Sequence, residues 1–305
     1  MRLFDLHCDT VTECLAKKKK LAQNDLAIDL DRGMAFERWI QTYAFWIDDQ
    51  YRGEDAFAHC MEQLRFLADT VKTEERLVRY AGGGQPHPEV CEAIFAIEGG
   101  AALAGKLENI GHFRSQGVRM MTLCWNGENE LASGAKASGG LKPFGRLCVA
   151  EMERLGMIVD VSHLNDESFW GVEQAAQKPF VATHSNARAI CPHPRNLTDD
   201  QLRVMIERGG LIGMNFYTLF LNEREEEASA QDVIRHIEHI LSLGGEDVLA
   251  LGSDFDGASM PVDLKSIKSI ENLHILMVQC LGTAMTEKIM YGNAERFFRT
   301  HWRTR

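Results

Sequence analysis

Eight short apolar runs alternate with helical patterns along the chain, and that alternation constrains the fold more than any other feature. The runs are Leu3–Leu6, Ile40–Ile47, Ala93–Ile97, Val118–Cys124, Met157–Val161, Phe180–Thr183, Leu211–Phe216 and Val248–Gly252. Between them lie stretches whose apolar residues recur at three and four positions, namely Glu54–Lys72, Phe144–Leu155, Asp199–Arg208 and Ala230–Leu243. Asp199 and Asp200 behind Thr198 read as the opening turn of a helix, where acidic side chains favour the dipole. Eight strands alternating with helices in 305 residues predict an α/β fold of the (β/α)8 barrel type. A doubly wound open sheet competes, but its G-X-G-X-X-G fingerprint is absent. Without a Pro- or Ser-rich linker, the chain reads as a single domain over residues 1–305.

Composition narrows the partners. A formal charge of −11 speaks against a general nucleic-acid binder, which would carry a basic face. The only strong basic run, Lys17 to Lys20, reads as a solvated loop or helix end. No stretch approaches the roughly 18 apolar residues of a membrane span, so no membrane partner is expected. The start carries no basic, apolar, small-residue leader pattern, and the eight cysteines are scattered without a Cys-X-X-Cys pair. Reduced thiols and a cytoplasmic location are therefore expected. The helix Glu54–Lys72 and the aromatics near Trp46 offer a surface for a homodimer, although a packed barrel shell explains them equally well.

In a barrel of this kind, catalytic side chains collect at the C-terminal ends of the strands. The run ends carry His7 and Asp9, Glu98, Asn126, His163, His184, Asn215 with Tyr217, and Asp254. His7 and Asp9 lie two apart, so an extended backbone points both to one side. Three histidines, two aspartates and a glutamate converging on one mouth suit a pair of divalent metals. His7 and Asp9 would hold one ion, His163 and His184 the other, and Glu98 would bridge them. Two Zn²⁺ about 3.5–4 Å apart share a water and lower its pKa toward about 7, with Mn²⁺ or Co²⁺ as substitutes. Asp254 closes the set as general base and then acid. Asp256 lies on the same face as a rival, expected to support the site rather than react. Arg195, in the proline-flanked loop Cys191-Pro-His-Pro-Arg195, is placed to clamp a carboxylate with two parallel hydrogen bonds.

These residues carry a resemblance. Asp5-Leu-His-Cys-Asp-Thr10, Ala96-Ile-Glu-Gly-Gly100, Ile158-Val-Asp-Val-Ser-His163, Thr183-His-Ser-Asn186, Pro194-Arg-Asn-Leu-Thr198 and Gly252-Ser-Asp-Phe-Asp-Gly257 resemble the renal (membrane) dipeptidase family, peptidase family M19. The match runs from near residue 3 to Gly292-Asn-Ala-Glu-Arg-Phe-Phe298. Most other amidohydrolases carry His-X-His on the first strand, whereas this chain carries His-X-Asp. The resemblance implies a dizinc hydrolase of small dipeptides, tolerant of a D-residue on the C-terminal side, with Arg195 holding the free carboxylate. It also implies that a metal-bridging hydroxide attacks the peptide carbonyl, and some members open β-lactam rings. Two positions depart from the mammalian members. Trp125 or a neighbour stands where they have a histidine thought to steady the oxyanion, so Trp125 and Asn126 become substrate-side candidates together with Tyr217. Phe220 stands where they have a substrate-contacting tyrosine. The alternative activities are removal of an N-acyl group from an amino acid on the same barrel and, more remotely, a non-catalytic barrel that binds peptide or metal.

Overall fold

The computed structural model describes residues 1–84 and 89–302. Among these, nine parallel strands run in chain order: β1 (Arg2–Asp5), β2 (Arg38–Trp46), β3 (Leu77–Arg79), β4 (Cys91–Glu98), β5 (Val118–Thr122), β6 (Ile158–Asp160), β7 (Val181–Ala182), β8 (Leu211–Met214) and β9 (Leu249–Leu251). Eight of them close a barrel, because β2 pairs with β1 on one side and with β4 on the other. The ninth, β3, was not foreseen. It pairs with Cys91–Ala93 at the start of β4, while β5 takes the same edge of β4 from Phe95 onward. The strands are apolar runs because helices cover the outside and side chains fill the lumen, leaving neither face in water. Every residue of β4 is buried.

Side-chain alternation splits each strand between the two sides. Phe4, Ile40, Ile94, Ala96, Met120 and Leu211 pack together in the lumen, whereas Leu3, Trp39, Phe95 and Ile212 face the helical shell. The lumen is closed at the strands' N-terminal end by Tyr80, Tyr291 and Phe298, with the Phe4 and Phe298 rings 5.0 Å apart. At the other end the strands stop early. β7 has two residues and β6 and β9 three each, shorter than their apolar runs, because the backbone turns away to present the site. Gly252 marks how tightly the backbones converge there, since a Cβ on it would lie 1.7 Å from the Thr183 carbonyl oxygen.

In chain order the helices around the site include α1 (Thr10–Ala16), α2 (Leu30–Gly33), α3 (Gly53–Thr73), α4 (Glu108–Ser115), α5 (Pro143–Leu155), α6 (Asp166–Ala175) and α7 (Asp199–Glu207). Of these, α2, α6 and α7 are capped by side chains. Asn165, the residue before α6, accepts from the Ser168 N–H, so the cap of that helix is Asn165 and not His163. Thr198 and Gln201 form a reciprocal capping box on α7. The remaining shell is α8 (Thr218–Leu221), α9 (Ala230–Ser242), α10 (Ile270–Leu281), α11 (Thr283–Glu287) and α12 (Asn293–His301), which supplies the Phe298 plug. No helix among the described residues is long and apolar enough to cross a membrane.

Candidate metal centre and active site

The chain beyond each strand builds one buried cluster at the mouth. His7 Nε2 lies 3.4 Å from Asp9 Oδ2, 3.6 Å from Glu98 Oε1 and 3.9 Å from Asp254 Oδ1. The same Glu98 oxygen lies 2.7 Å from His163 Nε2 and 3.4 Å from His184 Nε2. Glu98 thus touches both histidine groups, the position expected of a bridge. All six side chains are buried. The single-face placement of His7 and Asp9 does not come from plain alternation down β1. Leu6 belongs to the lumen and Cys8 to the helix side, so the period slips by one between them and turns His7 inward. A parallel bridge from Cys8 to Phe255 then carries the pairing of β1 and β9 past the strand ends, which fixes Asp9 beside Asp254.

Buried polar groups beneath the cluster orient it. His184 Nδ1 donates to Thr183 Oγ1 at 2.8 Å, and that hydroxyl donates to Asp160 Oδ2 at 2.5 Å, which leaves His184 Nε2 as a lone pair toward the centre. Asn126 Oδ1 sits 3.2 Å from His163 Nδ1 and sets that ring in the same sense. Asp5 accepts from the Ser253 N–H, the Ser253 hydroxyl and the Gln41 amide, tying the end of β1 to that of β9. Asn215 donates to Asp254 Oδ2 at 2.9 Å, so the other oxygen of Asp254 faces His7. Asp256 is held by the Thr10 hydroxyl at 2.6 Å and the Ala27 N–H at 2.7 Å, which matches its expected supporting place. His163 and Asp254 adopt left-handed backbone conformations, with φ of 71° and 62°. Beside them a Cβ on Gly257 would stand 2.1 Å from Asp9 Oδ2, so only glycine fits there.

The electrostatics suit a cation. Burial and the nearby Arg195 hold His163 down to about 4, and burial with the neighbouring His7 holds His184 well below the usual histidine range. Both rings are therefore neutral ligands at pH 7. Burial, together with Glu98, pushes Asp9 up, whereas the His7 and His163 rings outweigh burial and keep Glu98 ionised. His7 Nε2 and Asp9 Oδ1 are buried without a hydrogen-bond partner, atoms left over for a metal. Ligand atoms of His7, Glu98 and His184, and likewise of His7, Asp9 and Asp254, lie within 4.8 Å of one another. The mixed imidazole and carboxylate donors fit zinc and its first-row neighbours.

Above the cluster opens a cavity of about 710 Å³, in the range of small-ligand sites. Trp46 and Trp125 form one wall, their rings edge to face at 5.1 Å, and Tyr217 packs on Phe220 at 4.7 Å on another. Trp46 therefore lines the cavity. Arg195 is buried at 5% exposure, its guanidinium 5.3 Å from the centre of the Phe220 ring. Its Nε and Nη2 are buried donors without partners. The metal, base and substrate-side candidates from the sequence thus meet at one mouth: six in the cluster, Asn126 against His163, and Trp125, Arg195 and Tyr217 on the cavity wall.

The membrane dipeptidase model (peptidase family M19) matches residues 1–304. The chain belongs to that family. A metal cofactor goes with this membership, and the cluster supplies its donors. Among similar proteins, an uncharacterised protein in the pqqA 5′ region of Klebsiella pneumoniae is 34% identical over 226 residues, 70% of this chain and 83% of the relative. An uncharacterised dipeptidase of Schizosaccharomyces pombe is 35% identical over 64% of this chain, which spans about half the length of that relative. A metallo peptidase from Rhodobacter sphaeroides, solved with a phosphinate mimic of the dipeptide L-Ala-D-Ala, superposes with a TM-score of 0.89. It is 26% identical to this chain, and 99% of each chain is covered.

Sequence reasoning within this M19 chain missed the residues that hold the reactive ones. Asp5, Asp160, Thr183 and Ser253 are all buried polar groups in direct contact with the cluster or its loops. Asp5 and Asp160 had a usable signal, since each stands two or three residues before a histidine at a strand end. Asn215 was placed at the mouth by its run, but its partner Asp254, 39 residues away, was not foreseen.

Proposed function

We propose that this chain is a zinc-dependent dipeptidase that hydrolyses the single peptide bond of a dipeptide and accepts a D-residue at the C-terminal position. The observation that carries the reading is Arg195, a buried guanidinium with unpaired donors facing the same cavity as the metal cluster. A short peptide places its free carboxylate on Arg195 and its peptide carbonyl over the cluster. An internal bond of a longer chain has no such carboxylate at that distance. The L-Ala-D-Ala mimic bound by the Rhodobacter protein supports both the substrate class and the stereochemical tolerance.

In this proposal His7 and Asp9 would hold one zinc, His163 and His184 the other, and Glu98 would be shared between them, with manganese or cobalt as substitutes. Metals bound there would supply an activated water near neutral pH and polarise the carbonyl. Asp254 Oδ1 receives the proton of the attacking water and passes it to the leaving nitrogen, while Asn215 keeps Oδ2 occupied. Asn126, its Oδ1 committed to His163, offers its Nδ2 to the developing oxyanion in place of the histidine of the mammalian members. Tyr217 and Trp125 form the side walls of the substrate position. All eight thiols are free and seven of them buried, which supports a cytoplasmic location.

The test is hydrolysis of L,L and L,D dipeptides, each beside its N-acetylated form, by zinc-loaded protein with and without a chelator. Chelator-sensitive cleavage of the free dipeptides is expected, and an Asp254→Asn variant should keep its zinc while losing about 10²–10⁴ in kcat. Cleavage of the acetylated forms alone would replace this reading with an acylase. Near-full turnover by Asp254→Asn would remove Asp254 from the proton path.

A further inference from the structure

The cavity is lined by the acids Asp9, Glu13, Glu98, Asp254 and Asp256 and by two cations, Arg195 and Lys136. The acids outside the metal cluster are already engaged: Glu13 pairs with Lys17 at 2.5 Å, and Asp256 accepts from Thr10 and Ala27. Arg195 is assigned above to the substrate's main-chain carboxylate. That leaves Lys136, which makes no ion pair or side-chain hydrogen bond with any described residue. Asp49, whose carboxylate feels the Lys136 charge, accepts from the Gly127 N–H at 2.7 Å and lies 3.9 Å from Arg52.

Lys136 is not a free-swinging rim residue at its backbone. Its own N–H donates to the Asn126 carbonyl at 2.9 Å, and the preceding Ala135 N–H donates to the His163 carbonyl at 2.9 Å. These two bonds lock the base of the side chain directly above a metal-ligand loop. Its charge also reaches the Arg195 side. His193, its ring tilted against Phe220 at 4.5 Å and accepting the Arg195 N–H, is pushed below its usual pKa first by burial and then by Arg195 and Lys136.

We infer that Lys136 is a specificity residue that receives a second carboxylate, so that the preferred substrates are dipeptides whose C-terminal residue is aspartate or glutamate. This rests on the dipeptidase reading, in which Arg195 holds the carboxylate of the C-terminal residue in the cavity that Lys136 also lines, both charges acting on His193. A partly exposed lysine–carboxylate pair of this kind is worth about a fivefold preference at most, and it is screened by salt.

The experiment measures kcat/KM for Ala-Ala, Ala-Asp and Ala-Lys, in L,L and L,D forms, on the wild type, Lys136→Gln and Lys136→Glu at low and high ionic strength. The wild type is expected to favour Ala-Asp over Ala-Ala by about fivefold at low salt, with the advantage shrinking toward one at high salt. Lys136→Gln should abolish the advantage, chiefly through KM, and Lys136→Glu should reverse it in favour of Ala-Lys. A loosened loop would instead slow all substrates alike. An Ala-Asp to Ala-Ala ratio unchanged in Lys136→Gln, or a salt-independent one, overturns the inference. Calorimetric binding of the same dipeptides to metal-loaded protein separates the two levels. Lys136-dependent binding of Ala-Asp without cleavage would sink the dipeptidase reading and keep the acidic subsite, whereas equal binding of all three would sink the subsite.

Discussion

Replacing Arg195 by methionine should make the free protein no less stable while removing most of its activity. Arg195 is 5% exposed, and neither its Nε nor its Nη2 has a partner. Each unpaired buried donor costs about 1–3 kcal/mol, and a buried charge is often replaced by an apolar side chain without loss. Methionine keeps the length and the contact with Phe220, 5.3 Å from the guanidinium. The expected change in unfolding free energy therefore lies between zero and a gain of about 2 kcal/mol. Substrate loses two charge-assisted hydrogen bonds of about 1.5–3 kcal/mol each, so kcat/KM should fall by about 10²–10⁴. Arg195→Lys restores the charge but not the fork and should recover only part of that loss. Thermal unfolding and steady-state kinetics on the same preparations decide the matter. A variant that is destabilised by more than about 1 kcal/mol yet keeps activity within tenfold would mean that Arg195 holds the cavity wall rather than the substrate.

Three further substitutions probe the support of the site and of the shell. Asp160→Asn and Thr183→Val both break the chain from Asp160 through Thr183 to His184, and each should weaken metal binding about 10- to 100-fold in a chelator competition. Unchanged affinity in both would show that the His184 ring is held by packing alone. His236 is buried between the Ala187 N–H at 3.2 Å and the Leu221 carbonyl at 3.1 Å, and burial lowers its pKa to about 4. An unfolded histidine titrates near about 6.5, so between these values the unfolded chain binds more protons and stability falls as pH falls. The loss amounts to about 2 kcal/mol at pH 5. Buried His163 and His184 act in the same sense, so urea unfolding at pH 7 and pH 5 should show a loss in the wild type that His236→Gln, though weaker overall, reduces by about 2 kcal/mol; equal losses would refute the assignment.

The barrel was legible because two-sided burial leaves an uninterrupted apolar run for every strand, and a polar residue that ends such a run has nowhere to point but the mouth. Glu98 illustrates the point, since it closes β4 after seven buried positions and is itself buried. Where one face meets water or another partner, the pattern fades. The three residues of β3 are too short a run to register, and α6 has no strong apolar stripe. The slip at Leu6–His7 could not be read at all, because only the pairing of Cys8 with Phe255, 247 positions later, decides which way His7 turns. Lys136 escaped for a related reason. It lies in a Gly- and Ala-rich loop that reads as a connection, and only the hydrogen bonds to Asn126 and His163 bring it over the cavity.

The departures from ordinary folding rules gather at this mouth. Among the described residues six non-glycine positions have positive φ, and three of them, His163, Asp254 and Asp256, belong to the site. The orphaned atoms His7 Nε2, Asp9 Oδ1 and two nitrogens of Arg195 lie there as well. Each is unfavourable in the free chain, by about 1–3 kcal/mol for a strained backbone or an unmet buried donor. The lumen below, filled by Phe4, Ile40, Ile94 and their neighbours and sealed by Phe298, is apolar, with the Tyr80 and Tyr291 hydroxyls at its closed end as its unpaired polar atoms. Stability is thus built at one end of the barrel and spent at the other, where bound metal and a substrate carboxylate restore the missing partners. Because a ligand that binds only the folded state stabilises it in proportion to its affinity, metal loading should raise the unfolding temperature through the mouth residues alone. A metal-induced rise of the same size in a His163→Ala, His184→Ala double variant would place the metal elsewhere.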